Sequence, residues 1–536
     1  MHRKTEPVTL EGRRLDVQDV QHVHLKHETV RINRTLEHEL AVRDVFANHP
    51  ALVWWSFYWS MAAVGWGFDA QVNGGMLGVA SFRRDFGYLY QGQPVLPADW
   101  QTAFNTVSSV GQFFGGFLCS WMADRVGRKP SLLVGVAVVT GGILGEVFAT
   151  SRAAFVVAKL ILGLGLGFYL TLAPLATSEC APVVFRGIST AGVQLGIGCG
   201  QLLSNAVIRG CGEWDSRWAY RAPFAMQLFF CAFLVVFLPF APETPWYLAR
   251  AGRREDARRS IRKLYGSGSG FGSGSGAVDL DLDAKLVALE ATIAAEEAAK
   301  SDQGAIIQCL QGTNRIRTGI STGVFACQHL VGIIFVLGYS TYFFQLAGLP
   351  AGQSFDVGVG VTACGLLGTV CSWFVINSHG RRRIFIGGLV ALTAILLLIG
   401  VLDVVRTGAA KWVQAGLTVV YAFVYFASLG AMAFAILGEA SSTSLRAPTI
   451  ALATATQAVM GIVFNLAIPY MVNPDQGNLR GKVGFIFGGL AALATVWSFF
   501  HVPELKGRTF GEIDAMFQAK VPPRQMASHV LGDVGS

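Results

Sequence analysis

Charge is what this 536-residue chain has least of: 14% of its residues are Asp, Glu, Lys or Arg, against roughly 25% in a soluble protein. The deficit is uneven, because long apolar runs separate clustered charges. Residues 384–402 and 485–500 carry none, and 52–80 and 132–149 carry one each, Asp69 and Glu146. About 20 apolar residues in a helix cross a hydrocarbon core of about 30 Å, so these runs exclude a soluble globular protein. Six of the nine cysteines lie within such runs (Cys119, Cys199, Cys231, Cys327, Cys364, Cys371) and only Cys211 falls in an expected external loop, which excludes a disulfide framework. The first fifty residues hold no apolar core of a cleavable signal. No Gly-rich phosphate loop ending in Lys-Ser/Thr implies a nucleotide. Metal-ligand clusters and a nucleophile–base constellation are also lacking, so no cofactor and no enzyme are expected. The net charge of +8 is not a nucleic-acid signal, since the basic residues sort by side of the membrane.

What the chain has is 52% hydrophobic residues and 63 glycines. They arrange as twelve expected spans: 52–80, 103–123, 131–150, 155–177, 188–208, 222–241, 319–346, 355–377, 384–404, 413–438, 448–471 and 482–502. An even count puts both termini on one side. Placing that side in the cytoplasm leaves about 31 of 42 Lys and Arg inside, as the positive-inside rule requires, and predicts no glycosylation at the Asn33 sequon. The expected organisation is a cytoplasmic tail (1–51), a six-helix bundle (52–242), a cytoplasmic central loop (243–318), a second six-helix bundle (319–502) and a cytoplasmic tail (503–536).

The central loop opens with a basic helical stretch, 250–263. It passes through the low-complexity run Gly266–Gly276, read as a flexible, disordered linker, and continues as an amphipathic helix over 280–300 with Leu282, Leu286 and Leu289 on one face. Motifs repeat six spans apart. Asp124-Arg-Val-Gly-Arg-Lys129 follows span two and Asn377-Ser-His-Gly-Arg-Arg-Arg383 follows span eight. Glu179…Arg186 follows span four and Glu439…Arg446 follows span ten. Parallel halves with a mid-membrane site between them are a transporter architecture.

Together with Pro242-Glu-Thr-Pro-Trp-Tyr-Leu248 and Pro503-Glu-Leu-Lys-Gly-Arg508, these motifs resemble, in order and spacing, the sugar porters of the major facilitator superfamily over residues 52–517. Gly338-Tyr-Ser-Thr-Tyr-Phe-Phe344, Glu439-Ala-Ser-Ser-Thr-Ser-Leu-Arg446, Pro469-Tyr-Met-Val-Asn-Pro474 and Gly507–Asp514 look most like the fungal α-glucoside (maltose-type) permeases. The resemblance implies an all-α membrane protein, twelve transmembrane helices in two pseudo-symmetric six-helix bundles.

A sugar both donates and accepts hydrogen bonds, so its pocket needs amides and hydroxyls against an aromatic wall. Gln194 and Gln201, seven apart, share a helix face and match the family's paired glutamines; Gln328 matches another. Such amides also bond neighbouring helices in lipid, and position with the resemblance favours ligand contact. Phe434 and Trp66 are the candidate aromatic wall, with core packing the competing reading. His329 stands where the family usually has Gln and Ile334 where many hexose porters have Asn, departures that point away from glucose itself. Asp124, Arg125, Arg128, Glu179, Arg186, Glu439 and Arg446 resemble the network that latches the halves when the outside is open.

Asp69 inside span one costs roughly 2.5–3.5 kcal/mol on insertion scales, so a functional, inward-facing role is the default. In the resemblance it matches the proton-carrying acid of sugar–proton symporters, with Lys159 where relatives place Arg. A structural ion pair is the alternative, and Glu146 receives no role. The expected function is proton-coupled uptake of a sugar by alternating access, with lipid, sugar and protons as partners, no nucleic acid, and the plasma membrane as the family's usual location. The alternatives are a facilitative or efflux carrier of a hexose, polyol or other metabolite, and a transporter-like nutrient sensor.

Overall fold

The computed structural model describes residues 9–10, 13–14, 49–181, 183–265, 275–298, 305–346, 348–378, 380–405, 407–441, 445–506 and 510–526. The expectations for the rest of the N-terminal tail with its Asn33 sequon, for 266–274 of the Gly/Ser run and for the chain end from 527 lie outside these residues, while Ser275 and Gly276, expected in the linker, already belong to the helix Ser275–Ala298.

Twelve long helices carry the fold: α1 (Pro50–Met76), α2 (Ala98–Val126), α3 (Arg128–Phe148), α4 (Arg152–Cys180), α5 (Val183–Cys211) and α6 (Trp218–Phe237); then α7 (Gly312–Leu346), α8 (Ala351–Ser378), α9 (Arg381–Val405), α10 (Ala409–Ala440), α11 (Arg446–Val472) and α12 (Val483–His501). Their starts follow local chemistry. Pro50 opens α1, where its missing N–H is not needed. Ser151 and Thr407 accept hydrogen bonds from Ala154 N and Ala410 N as N-caps of α4 and α10. Cys211 is the last residue of α5 and is buried, so it lies in the helix and not in the external loop expected from sequence.

Among the described residues nine spans are long and apolar enough to cross a membrane. The three helices outside that set are α1, α2 and α5. They carry Asp69, Gln71 and Asn73; Gln101, Asn105 and Gln112; and Gln194, Gln201 and Asn205.

Two helices are interrupted. In α7 the helix stops at Leu330 and resumes at Ile333. Gly332 holds φ +80 there, and a Cβ on it would meet the Phe487 ring at 2.7 Å, so only glycine suits both the backbone and the space. In α10 the stretch Phe426–Gly430 is a π-turn. The interior of the central segment is a small satellite core. Leu282 and Leu286, on helix Ser275–Ala298, pack against Tyr247, Leu248, Ala257 and Ile261, as the amphipathic pattern implies; Leu289 is only partly buried. A hairpin pairing Tyr88–Tyr90 with Gln93–Val95 interrupts the otherwise helical bundle. Gln91 and Gly92, both at positive φ, form its two-residue turn.

Candidate functional site

A buried charge cluster occupies the first half of the molecule. Lys159 of α4 places Nζ 3.5 Å from Asp69 Oδ1 of α1 and 2.5 Å from Glu146 Oε1 of α3. None of the three side chains is more than 1% exposed. Asn73, one turn beyond Asp69, donates to Asp69 Oδ2 at 3.2 Å and accepts from Lys159. The Phe155 and Phe224 rings face the ammonium at 5.5 and 5.2 Å, a cation–π environment. Pairing makes the burial tolerable, since an isolated buried charge costs several kcal/mol. Asp69 and Lys159 are thus brought together as the sequence implied, and Glu146 joins them. The cluster is not at mid-helix: Asp69 lies seven residues, about 10 Å of helix, from the end of α1. That end is the one remote from the central segment.

The same remote end is stitched shut between α1–α6 and α7–α12. Gln71 donates to Leu337 O at 2.8 Å, Asn105 to the Tyr339 hydroxyl at 2.9 Å, and Asn205 to Gly358 O at 2.8 Å. Gln101 donates to Asn473 Oδ1 at 2.8 Å. Nearer the surface, Arg209 pairs with Asp356 at 2.6 Å and Arg83 donates to Gln345 at 3.0 Å. Tyr88 of the hairpin donates to Asp475 at 2.6 Å, a bond that pushes the phenol up to about 12. The two halves touch backbone to backbone where a Cβ on Gly74 would stand 2.0 Å from Gly338 O. Single Asn and Gln residues in a span look like ordinary interhelical bonds, and only the fold shows that they share one seam.

The expected sugar ligands fall into two groups. Gln194 and Gln201 are partly exposed and have no hydrogen-bond partner among the described residues. They share a stripe of α5 with Gly198, whose added Cβ would meet Leu366 of α8 at 3.0 Å, and with Asn205; this stripe therefore faces the seam. Gln328 is 3% exposed and points its amide at Leu429 O (3.4 Å) and Gly430 O (3.5 Å), carbonyls of the π-turn. His329 is buried beside it, its Nδ1 3.3 Å from Phe325 O. Phe434 is half exposed and edge-on to Phe325 at 5.1 Å. Trp66 donates to Gln112 Oε1 at 3.0 Å, and Ile334 packs on the core. No described contact joins Gln194 or Gln201 to Gln328.

At the central-segment end the motif residues form two similar knots. Arg128 pairs with Glu179 at 2.6 Å and with Asp124 at 3.6 Å, and stacks on Tyr247 at 5.2 Å. Arg125 lies over Trp121 at 4.6 Å. Glu243 accepts from Arg128 N and Lys129 N at 3.0 and 3.1 Å, capping α3, where carboxylates are favoured. In the other half Arg381 pairs with Glu439 at 2.8 Å, and Glu504 caps α9 through Arg381 N and Arg382 N at 2.9 and 3.2 Å. The glycine of each motif leaves room for that carboxylate: a Cβ on Gly127 or Gly380 would meet Glu243 Oε2 at 2.7 Å or Glu504 Oε2 at 2.0 Å. Each of these pairs lies within one half. Arg381, Glu243 and Glu504 were not singled out from sequence as site residues, although their motifs were. The side chains of Arg186 and Arg446 are outside the described residues.

Twelve helices in two halves, a sealed polar seam and a buried charge cluster define a major facilitator transporter. The chain belongs to the family described as Sugar (and other) transporter, whose profile matches residues 55–517. Its relatives include the general alpha-glucoside permease of Saccharomyces cerevisiae, 29% identical over 93% of this chain and 80% of that protein. Maltose permease MAL31 of the same yeast is 28% identical over 92% and 80%. The fold is similar to that of the E. coli xylose transporter XylE in a partially occluded inward-open conformation, with a TM-score of 0.69 at 18% identity, covering 86% of this chain and 100% of that one. It is also similar, with a TM-score of 0.56 at 12% identity, to a mutant of the nucleoside transporter NupG, covering 84% and 99%.

Proposed function

We propose that this protein is a proton-coupled sugar transporter that takes up an α-glucoside by alternating access. The buried Asp69–Lys159 pair, in a chain of the sugar-transporter family, carries the reading. A carboxylate held against an ammonium away from water is the group whose protonation is sensitive to opening of the bundle. The yeast relatives described as alpha-glucoside and maltose permeases, matched over most of their length, support the substrate class. In this reading Gln194, Gln201, Gln328 and His329 bond the sugar, with Phe434 and Trp66 as apolar walls. The protein sits in the plasma membrane with both termini cytoplasmic.

The mechanism follows from which end is closed. With the remote, external end stitched by Gln71, Asn105, Asn205 and Gln101, a sugar held between the halves exchanges with the cytoplasm. Reversal breaks these neutral bonds, each worth about 1 kcal/mol net. It makes new ones at the cytoplasmic end, between Asp124, Arg125, Arg128 and Glu179 of one half and Glu439 and Arg381 of the other, with the roles of Arg186 and Arg446 resting on the family resemblance. Surface-near ion pairs are remade at low cost, which suits a latch.

The test is Asp69→Asn in proteoliposomes with labelled maltose. The variant keeps the shape and removes the titration, so it should exchange maltose across the membrane yet fail to concentrate it under an inward proton gradient. Concentrative, proton-dependent uptake by this variant would show that coupling lies elsewhere.

A further inference from the structure

Coupling through Asp69 alone, the proposed function on which this inference rests, leaves a second carboxylate on the same ammonium without a role. Glu146 is 0% exposed although it lies only two residues from the end of α3. Apart from the Lys159 ammonium, neither of its carboxylate oxygens has a described hydrogen-bond donor. A buried acid with so little support needs a counter-charge, and Lys159 is nearer to it than to Asp69, 2.5 against 3.5 Å. One ammonium between two carboxylates leaves an excess negative charge when all three are ionised. Among the described residues no second cation pairs with either acid. The elements packed around the cluster present amides and phenols: Asn73 on α1, Gln101 and Asn105 on α2, and Asn205 on α5. Tyr220 of α6 donates to Asp85, and Tyr339 of α7 accepts from Asn105. Arg152, at the start of α4, donates to Gly87 O instead.

We propose that Glu146 is a second coupling carboxylate: Asp69 and Glu146 hold one proton between them, and the external seal closes over the cluster only when that proton is in place. This rests on the proton-coupled reading and gives it a physical reason. With one proton taken from external water, the cluster is neutral, as one carboxylic acid and one ion pair, and can be buried. Without the proton it carries a net negative charge, which a water-free site disfavours strongly. The unprotonated carrier therefore does not pass through the sealed state.

Two different variants test the shared proton. Glu146→Gln leaves Asp69 and Lys159 as a neutral pair, and Asp69→Asn leaves Glu146 and Lys159 as one. Both remove the need for a proton. Infrared difference spectroscopy on the purified full-length protein, stepped between acidic and alkaline pH, reads this without any sugar. The wild type should show the band of a buried protonated carboxyl that titrates, and each variant should lose it. Each should also equilibrate labelled maltose at a rate independent of pH. A Glu146→Gln protein that keeps the wild-type titrating band and still concentrates maltose under a proton gradient overturns the proposal and leaves Glu146 a packing residue. If that variant does not fold, Asp69→Asn decides alone, because a carboxyl band still titrating in it overturns the shared-proton account. If the wild-type band behaves as expected but maltose uptake ignores uncoupler, the transport reading fails and the shared proton stands.

Discussion

Lys159 owes its place to three helices at once, and its partners were only partly legible in the sequence. The family resemblance set Lys159 opposite Asp69, since relatives place Arg at that position, and the two side chains lie 3.5 Å apart. Glu146 was visible as a third buried charge, but nothing in a linear chain says that α3 delivers it to the same ammonium. The glutamines show the opposite limit. Their positions followed from the family pattern, yet the sequence does not reveal that Gln328 lies against the π-turn while Gln194 and Gln201 have no hydrogen-bond partner among the described residues. This difference is testable. Changing Gln194 or Gln201 to Ala should raise the KM for maltose about fivefold, the equivalent of one neutral hydrogen bond at about 1 kcal/mol, with surface expression unchanged. Gln328→Ala also removes the partner of the Leu429 and Gly430 carbonyls, so it should lower thermal stability as well as affinity. Unchanged kinetics in all three would exclude this site.

At the scale of elements, long apolar runs located the spans, and the observed helix ends fall within about seven residues of the expected ones. The interruptions were not legible. Nothing in Phe426-Ala-Ser-Leu-Gly430 marks a π-turn, and Gly332 is one glycine among many until its positive φ is seen. The contact between α1 and α7 is equally silent in sequence and makes a paired prediction. A methyl on Gly74 would stand 2.0 Å from Gly338 O, whereas one on Gly338 would meet nothing within 4 Å. Gly74→Ala should hold the external end open, cutting transport at least tenfold and exposing a cysteine placed at Gln101 to a membrane-impermeant maleimide. Gly338→Ala should transport normally. Equal behaviour of the two would show that the backbone contact does not govern closure.

For the whole molecule, the motif repeated after spans two and eight carried furthest, because each copy marks the same physical joint: a carboxylate capping the helix that begins with its arginine. Glu243 and Glu504 are the caps, on α3 and α9 respectively. Glu504→Gln keeps the shape but weakens the charge-assisted cap, worth about 1 kcal/mol, and should lower thermal stability modestly without changing the KM. A rise in KM at full stability would assign Glu504 to the substrate path. The central claim is coupled transport, and it is tested most directly by labelled maltose uptake into proteoliposomes of the wild type under an imposed inward proton gradient. The account predicts accumulation above equilibrium that collapses on adding uncoupler. Uptake that only equilibrates, indifferent to the gradient and the uncoupler, would contradict it.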